Sequence, residues 1–265
     1  MMKRAVRFLF TLLAVALLSL SGVQAADPSV TQPQVDTPER VLFVGNSYMY
    51  YNDSLHNHVR RMAIAGDKSL GKLLKYKSAT IGGAPLAHHN IDHLTTPGKL
   101  GIKEPFQLVI MQGNSTDALS AKNSKAFHDT AVEFNKVIKE RGGKVALYMT
   151  PAHIKPSKFA SPEMTGKVAD MYVSVGNEIG ALVIPTGLAF AEAYRRKPDI
   201  KLHQDYDGSH PTLLGTYLAA CTVYATVYGK SPVGNSYDYY GKVPKEDAAF
   251  LQQVAEHTVK KFFGR

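Results

Sequence analysis

Arg40-Val41-Leu42-Phe43-Val44-Gly45-Asn46-Ser47-Tyr48 is the stretch that decides the fold. Its apolar run, residues 41–44, is short, continuous and partly β-branched, which predicts a buried β-strand. Gly45 permits a sharp turn, and Ser47 follows it before a predicted helix. Open α/β sheets bind their ligands at the carboxyl ends of the strands, so Ser47 is a candidate nucleophile. The alternative is a serine that only caps the next helix.

Four more apolar runs predict buried strands, within 73–81 and at 106–111, 145–149 and 181–185. Apolar residues recur at helical spacing over about 54–65, 121–141, 161–180, 187–196, 211–228 and 245–263. Strands that alternate with helices in this way predict a parallel sheet covered on both faces. We therefore expect an α/β fold, a three-layer α/β/α sandwich whose sheet has about five strands in the flavodoxin-like order 2-1-3-4-5.

The amino-terminal residues predict export. The first 25 residues combine a basic start, an apolar core at 8–18 and small residues before a predicted cut after Ala25, which is the pattern of a secretory signal peptide. The alternative is a permanent membrane anchor, but the apolar core is shorter than the ~20 residues that span a bilayer. Residues 26–39 are rich in Pro, Thr, Gln and Asp and predict a flexible linker. Residues 40–265 are then the folded domain, in the periplasm or outside the cell and without stable membrane insertion.

Composition excludes some classes of function. The chain has 265 residues, of which 45% are hydrophobic, and this is typical of one globular domain. The net charge of +9 comes from scattered lysines and arginines, and no nucleic-acid-binding motif accompanies them, so we expect no nucleic-acid partner. Cys221 is the only cysteine, which excludes an intrachain disulfide. Its apolar, helical surroundings predict a small buried residue.

Asp207-Gly208-Ser209-His210-Pro211 precedes one of the predicted helices. We expect Pro211 to occupy the first helical turn and to hold His210 at the helix entrance. Asp207 is close enough in sequence for its carboxylate to orient the imidazole. His210 could then remove the proton of Ser47, since a serine hydroxyl needs such a base to become nucleophilic. The alternative is a capping aspartate beside a surface histidine.

Two other clusters leave alternatives open. His89 and His93 are four residues apart on a predicted helix and could share a metal ion, but hydrogen-bonded or solvated histidines are the simpler interpretation, and we expect no metal site. Tyr48, Tyr50 and Tyr51 could line a substrate cleft, and the tyrosines of Ser236-Tyr237-Asp238-Tyr239-Tyr240 could stack on a sugar. Both groups could instead pack their own loops.

Four stretches together resemble the SGNH hydrolases, the serine esterase superfamily with a Gly-Asp-Ser-Leu type motif. Gly45-Asn46-Ser47 matches the nucleophile block, with Asn in place of the commoner Asp. Gly83 matches the glycine block, Asn114 the asparagine block, and Asp207-Gly208-Ser209-His210-Pro211 the Asp-x-x-His block. Order and spacing agree over about residues 40–230. The third block departs from the usual Gly-x-Asn-Asp, because Gln112 and Ser115 replace its Gly and Asp.

The resemblance implies a serine esterase with Ser47 as nucleophile, His210 as base and Asp207 as its orienting acid. It also implies an oxyanion hole made of the Ser47 N–H, the Gly83 N–H and the Asn114 amide, and no metal or organic cofactor. The expected substrate is a short acyl ester, such as an acetyl ester of a carbohydrate. The alternatives are a lipid esterase or thioesterase, or a non-catalytic or acyl-transferring member that binds envelope glycans. The sequence does not fix the oligomeric state.

Overall fold

The computed structural model describes residues 27–265 and contains one parallel five-stranded sheet. The strand order β2-β1-β3-β4-β5 is the flavodoxin-like order predicted from the sequence. All four strand pairs are parallel, so every strand ends at the same edge of the sheet. The strands are β1 (Arg40–Gly45), β2 (Lys75–Thr80), β3 (Leu108–Met111), β4 (Lys144–Tyr148) and β5 (Leu182–Ile184).

Helices cover both faces of this sheet, as expected for a three-layer α/β/α sandwich. They are α1 (Ser47–Tyr50), α2 (Leu55–Gly66), α3 (Ile91–Thr95), α4 (Ala121–Glu140), α5 (Met164–Ile179), α6 (Thr186–Arg196), α7 (Leu213–Val227) and α8 (Lys245–Phe262). Short 3-10 helices lie at Lys68–Lys72, Leu86–His88 and Asp117–Leu119. No helix within residues 27–265 combines the length and apolar character needed to cross a bilayer.

Alternation along β1 divides the core into two layers. Val41 and Phe43 pack on the face covered by α2, α7 and α8, whereas Leu42 and Val44 pack on the face covered by α4 and α5. Successive side chains of a strand point to opposite faces, so a strand buried on both sides needs a continuous apolar run. This is why residues 41–44 contain no polar position. Cys221 lies in α7 and is fully buried, as predicted.

One local expectation was wrong. Pro211 does not open a helix: α7 begins at Leu213, and the Thr212 hydroxyl caps it by accepting from the Gly215 N–H. Pro211 instead forms an antiparallel bridge with His203. The reason is local: a helix that began at Pro211 would have His210 as its N-cap, and threonine is among the preferred N-cap residues whereas histidine is not. His210 consequently lies in a short extended segment paired with residues 203–204, not at a helix entrance.

The predicted signal peptide, residues 1–25, lies outside the described residues. The predicted linker is described from Asp27 onward and contains no helix or strand. It is nevertheless attached to the domain, because Ser29 N–H donates to the side chain of Asn177 and Gln34 donates to the carbonyl of Gly180. A freely flexible linker would not make such hydrogen bonds to the domain.

Candidate active site

The turn after β1 presents Ser47 as the first residue of α1. Ser47 is 5% exposed and stands at the carboxyl edge of the sheet, next to the ends of β2 and β3. Gly45 makes the turn possible, because a Cβ at this position would lie 2.5 Å from the Gln112 Oε1 atom. A side chain at this position would displace Gln112, whose side chain accepts a hydrogen bond from the backbone of the turn.

Asn46 and Gln112 form a buried pair of side chains beneath Ser47. The Asn46 backbone N–H donates to Gln112 Oε1 at 3.0 Å, and Gln112 Nε2 donates to Asn46 Oδ1 at 2.9 Å. Asn46 Oδ1 also accepts from the Tyr48 N–H and so caps α1. The cap in this turn is therefore Asn46, which leaves the hydroxyl of Ser47 free for another partner.

The amide nitrogen of Asn46 explains why the nucleophile block has Asn where the family commonly has Asp. This nitrogen donates to the carbonyls of Ala84 at 3.0 Å and Gly113 at 3.3 Å. Both acceptors are backbone oxygens, which a carboxylate could not satisfy. Asn46 thereby ties the nucleophile turn to the loops that follow β2 and β3.

Ser47, His210 and Asp207 form a continuous hydrogen-bonded line. His210 Nε2 lies 2.8 Å from Ser47 Oγ, and His210 Nδ1 lies 2.5 Å from Asp207 Oδ2. A carboxylate can only accept, so the proton of the neutral ring lies on Nδ1, and Nε2 accepts from the Ser47 hydroxyl. The structure thus brings Ser47 together with His210, which lies 163 positions later in the sequence, and with Asp207.

Asp207 is held in its ionised form by several donors. Partial burial alone would favour the neutral acid, but the His210 ring and the N–H groups of Ser209 and His210 outweigh it and lower the pKa of Asp207. The two N–H groups donate to Asp207 Oδ1 at 2.8 and 3.0 Å. Such charge-assisted bonds leave the second carboxylate oxygen for the imidazole.

The expected oxyanion donors also converge at this edge. Neither the Ser47 N–H nor the Gly83 N–H donates to an acceptor within residues 27–265. The amide nitrogen of Asn114 donates one hydrogen to the Gly83 carbonyl at 2.9 Å, which leaves its second hydrogen available. The amide orientation follows from Thr116, whose N–H must donate and lies 3.0 Å from Asn114 Oδ1.

Two tyrosines of the nucleophile loop face the imidazole of His210. The Tyr51 ring stacks on it at 4.5 Å between centroids and 12° between planes, and the Tyr48 ring lies at 5.9 Å and 28°. Tyr51 OH lies 3.3 Å from Tyr206 OH, and this contact and burial raise the pKa of Tyr51 to about 12. Tyr50 stacks on Tyr51 at 5.6 Å and remains 40% exposed at the site.

The candidate histidines and the tyrosines at 237–240 lie outside the line of Ser47, His210 and Asp207. His89 lies between two short helices rather than on one helix with His93, and its Nε2 is 2.9 Å from the Gly45 carbonyl. Among residues 27–265 there is no cluster of three histidine, cysteine or acidic side chains that could hold a metal ion. Tyr237 is buried and bonds to His58 at 3.0 Å, and Tyr239 stacks on His58. Packing is therefore the role of these two tyrosines.

Comparison with solved structures places this geometry in a known fold. The chain is similar to a DUF4886 family protein from Bacteroides uniformis, with a TM-score of 0.61 and 19% identity over 82% of this chain and 93% of that chain. It is also similar to a proposed SGNH hydrolase from Slackia heliotrinireducens, with a TM-score of 0.58 and 20% identity over 72% of this chain and 99% of that chain. For an acetyl xylan esterase, AlAXEase, the TM-score is 0.55 and the identity 18%, over 71% of this chain and 98% of that chain.

The fold is that of the SGNH hydrolases. Solved structures that match it include SGNH and GDSL-like hydrolases and acetyl esterases, all at low sequence identity. No protein-family model matches the sequence, and no curated protein matches it. The structural likeness therefore establishes the fold, as the resemblance of the four sequence blocks implied, while the chemistry has to be argued from the site.

Sequence reasoning missed the residues that support the site. Gln112 was treated only as a departure from the third block, yet it is fully buried against Asn46. The sequence allows a hydrogen-bonded His89 but does not show its partner, which is the Gly45 carbonyl of the nucleophile turn. One signal was available, because Asn46 and Gln112 depart from the family pattern together and their side chains are complementary.

Proposed function

We propose that this protein is an exported serine ester hydrolase that uses Ser47, His210 and Asp207. The observation that carries the proposal is the line from Ser47 Oγ to His210 Nε2 at 2.8 Å and from His210 Nδ1 to Asp207 at 2.5 Å. The N–H groups of Ser47 and Gly83, at the same edge of the sheet, have no acceptor within residues 27–265. A serine so close to an oriented imidazole is the arrangement that nucleophilic acyl transfer requires.

The reaction follows from these positions. Ser47 Oγ attacks the ester carbonyl while its proton passes to His210 Nε2, and the imidazolium is stabilised by Asp207. The carbonyl oxygen gains negative charge and accepts from the Ser47 N–H, the Gly83 N–H and the Asn114 amide. His210 then gives the proton to the leaving alcohol, which departs as the acyl-enzyme forms. His210 takes a proton from a water that attacks the acyl carbon, and it returns this proton to Ser47 Oγ as the acyl–oxygen bond breaks and the acid leaves.

A short acyl ester of a carbohydrate is the substrate class that we propose. The fold's likeness to an acetyl xylan esterase supports it. The exposed rings of Tyr50 and Tyr206 also support it, because both contact Tyr51, which stacks on His210, and tyrosine rings suit sugar faces. The predicted signal peptide also supports it, because an exported enzyme would meet polymers outside the cytoplasm.

A longer acyl chain has one observation in its favour. A cavity of about 280 Å³ adjoins Asn114, and Leu86, Ala126 and Phe127 are among the apolar residues that line it. This space exceeds what an acetyl group needs. The rates of hydrolysis of p-nitrophenyl esters of rising chain length discriminate between the two: a maximum at acetate supports the carbohydrate ester, and a maximum at eight carbons or more supports a lipid ester or thioester.

A fluorophosphonate probe tests the nucleophile directly. We expect the purified mature protein to be labelled at Ser47, and the Ser47→Ala variant to remain unlabelled. Failure of the wild type to react, or equal labelling of the variant, would rule out the serine mechanism. Release of free acetate from acetylated xylan or peptidoglycan separates a hydrolase from a transferase, which would acetylate an added acceptor instead.

Loss of an oxyanion donor gives a quantitative test. We expect Asn114→Ala to lower kcat about 100- to 1,000-fold, or about 2.7–4 kcal/mol in the activation barrier, with a smaller change in KM. The reason is that the oxyanion forms only after the attack, so the donor stabilises the transition state more than the bound ester. A fall in kcat of less than fivefold would show that the Asn114 amide does not contact the oxyanion.

A further inference from the structure

His153 is a buried histidine that the proposed reaction does not use. It lies in the connection between β4 and α5 and is 7% exposed. Its ring contacts three serine hydroxyls: Nε2 lies 2.9 Å from Ser115 Oγ and 3.1 Å from Ser209 Oγ, and Nδ1 lies 2.8 Å from Ser157 Oγ. The Phe159 ring packs edge-on against the imidazole. Both ring nitrogens therefore have partners, and each partner is uncharged.

Two of these partners are neighbours of proposed catalytic groups. Ser115 directly follows Asn114, the side-chain donor of the oxyanion hole. Ser209 lies between Asp207 and His210, and its backbone N–H donates to the Asp207 carboxylate. The His153 ring thus joins the loop after β3, which carries the oxyanion donor, to the loop that carries the base.

The nucleophile loop meets the same cluster through Tyr48. Tyr48 OH lies 2.7 Å from Ser209 Oγ, and burial raises the pKa of Tyr48 to about 12, so its hydroxyl stays neutral. Tyr48 immediately follows Ser47, and its ring also faces His210. Three loops that each supply one proposed catalytic group are therefore connected through Ser209 and His153.

We propose that His153 is a positioning residue that fixes the oxyanion donor Asn114 relative to the base His210 through Ser115 and Ser209. This inference rests on the proposed serine mechanism. It also gives a role to Ser115, which stands where the related blocks have Asp. A serine at this position can share a neutral imidazole with Ser209, whereas a carboxylate would add a second buried negative charge near Asp207.

The neutral form of His153 suits this role. Burial lowers the pKa of His153, although the nearby Asp207 carboxylate partly opposes that shift and the His210 ring adds to it. A neutral imidazole is satisfied by hydroxyl partners in either tautomer, because a hydroxyl can donate or accept. No charge then competes with the imidazolium of His210 during the reaction.

The expected effect is on kcat rather than on KM. Asn114 and His210 act together only in the transition state, and a displacement of one relative to the other by a fraction of an ångström lowers the rate strongly. The ester itself need not contact His153. A residue with a purely structural role would instead lower the unfolding midpoint and the amount of active enzyme, without a selective loss of kcat in the folded fraction.

A double-mutant cycle on the two serines tests the coupling. Ser115→Ala and Ser209→Ala each remove one hydroxyl from His153, and we expect each to lower kcat about fivefold to tenfold. If His153 couples the two loops, the double variant falls no further than the worse single variant. Hydrolysis of p-nitrophenyl acetate gives kcat and KM, and titration with the fluorophosphonate probe gives the concentration of active sites.

Variants of His153 itself complete the experiment. His153→Leu removes both ring nitrogens and is expected to lower kcat about tenfold or more, while His153→Gln, whose terminal amide reaches the position of Nε2, recovers at least half of the loss on a logarithmic scale. His93→Leu, at an exposed histidine on α3, is the matched control and leaves kcat unchanged. If His153→Leu does not fold, the serine cycle alone decides.

The outcomes separate the two proposals. Two results would overturn the positioning role and leave the serine mechanism intact. One is a loss of kcat in the double serine variant equal to the product of the two single losses; the other is a wild-type kcat in His153→Leu. Absence of Ser47 labelling and of ester hydrolysis in the wild type would overturn both. Non-additive losses in kcat with nearly unchanged KM and rescue by His153→Gln would establish the positioning role.

Discussion

The turn that carries Ser47 and the loop that carries His210 are held by different kinds of contact. Beneath Ser47, Asn46 and Gln112 are 2% and 0% exposed and exchange hydrogen bonds with each other. The side chains of His210 and Asp207 are 28% and 25% exposed. Their loop is fixed by a tight backbone contact at Gly208 and by the ring of Tyr51.

This difference separates stability from catalysis. An unsatisfied polar group costs most where water cannot replace the lost partner, so changes beneath Ser47 should lower the free energy of unfolding. Changes around the partly exposed His210 loop should lower kcat, and should lower stability only where they also disturb the backbone. The following predictions are ordered from the largest expected effect to the smallest.

Asn46→Asp is expected to destabilise the protein by about 3–5 kcal/mol at pH 8. The new carboxylate would face the carbonyl oxygens of Ala84 and Gly113, both now bound by the amide. This raises the pKa of the aspartate in the folded state above its unfolded value. The penalty is thus small below about pH 4 and grows as the pH rises towards the folded-state pKa. Urea unfolding at pH 5 and pH 8 measures it.

The control for this change is Asn123→Asp, the same substitution at an exposed position on α4. We expect it to alter the free energy of unfolding by less than about 0.5 kcal/mol at either pH. An equal effect of the two substitutions would contradict the idea that the amide of Asn46 is needed for its two carbonyl partners.

Gly208→Ala tests the backbone contact of the His210 loop. Gly208 has φ +62°, and a Cβ there would lie 2.1 Å from the Ile154 carbonyl oxygen. The Gly208 carbonyl also accepts from the Ile154 N–H at 2.8 Å. The loop must therefore shift, and we expect a loss of about 2–3 kcal/mol in stability together with a fall in kcat of about tenfold or more.

Gly241→Ala is the matched control for Gly208→Ala. Gly241 has φ +78°, but no atom lies within 4 Å of the added Cβ. This variant carries the backbone penalty of about 1–2 kcal/mol without the clash, and we expect its kcat to equal that of the wild type. If both variants lost kcat to the same extent, displacement of the His210 loop would not be the cause.

The same contrast explains what could be predicted from the sequence. The sheet order and the residues Ser47, Asp207 and His210 follow from apolar runs and short motifs, because each signal is contained in a few adjacent positions. The pair of Asn46 and Gln112 spans 66 positions, so no local pattern shows it. The start of α7 was missed for a local reason, because the capping of Thr212 outweighed the preference of Pro211 for a first turn.

Tyr51→Leu is expected to have the smallest effect, and it concerns the His210 loop alone. The stacked ring of Tyr51 favours a positive charge on His210, and an aromatic ring over a cation contributes about 0.5–1 kcal/mol at a partly exposed site. Losing it should lower kcat roughly twofold to fivefold. Hydrolysis of p-nitrophenyl acetate by the wild type and the variant measures this loss.

Tyr51→Phe separates the ring from the hydroxyl. The hydroxyl points to Tyr206 at 3.3 Å rather than to the reacting atoms, so the phenylalanine variant should keep the kcat of the wild type. The other groups near the His210 ring are Asp207, Ser47, Tyr48 and His153, and none of them changes in either variant. An unchanged kcat in Tyr51→Leu would show that stacking on the Tyr51 ring adds nothing to the base.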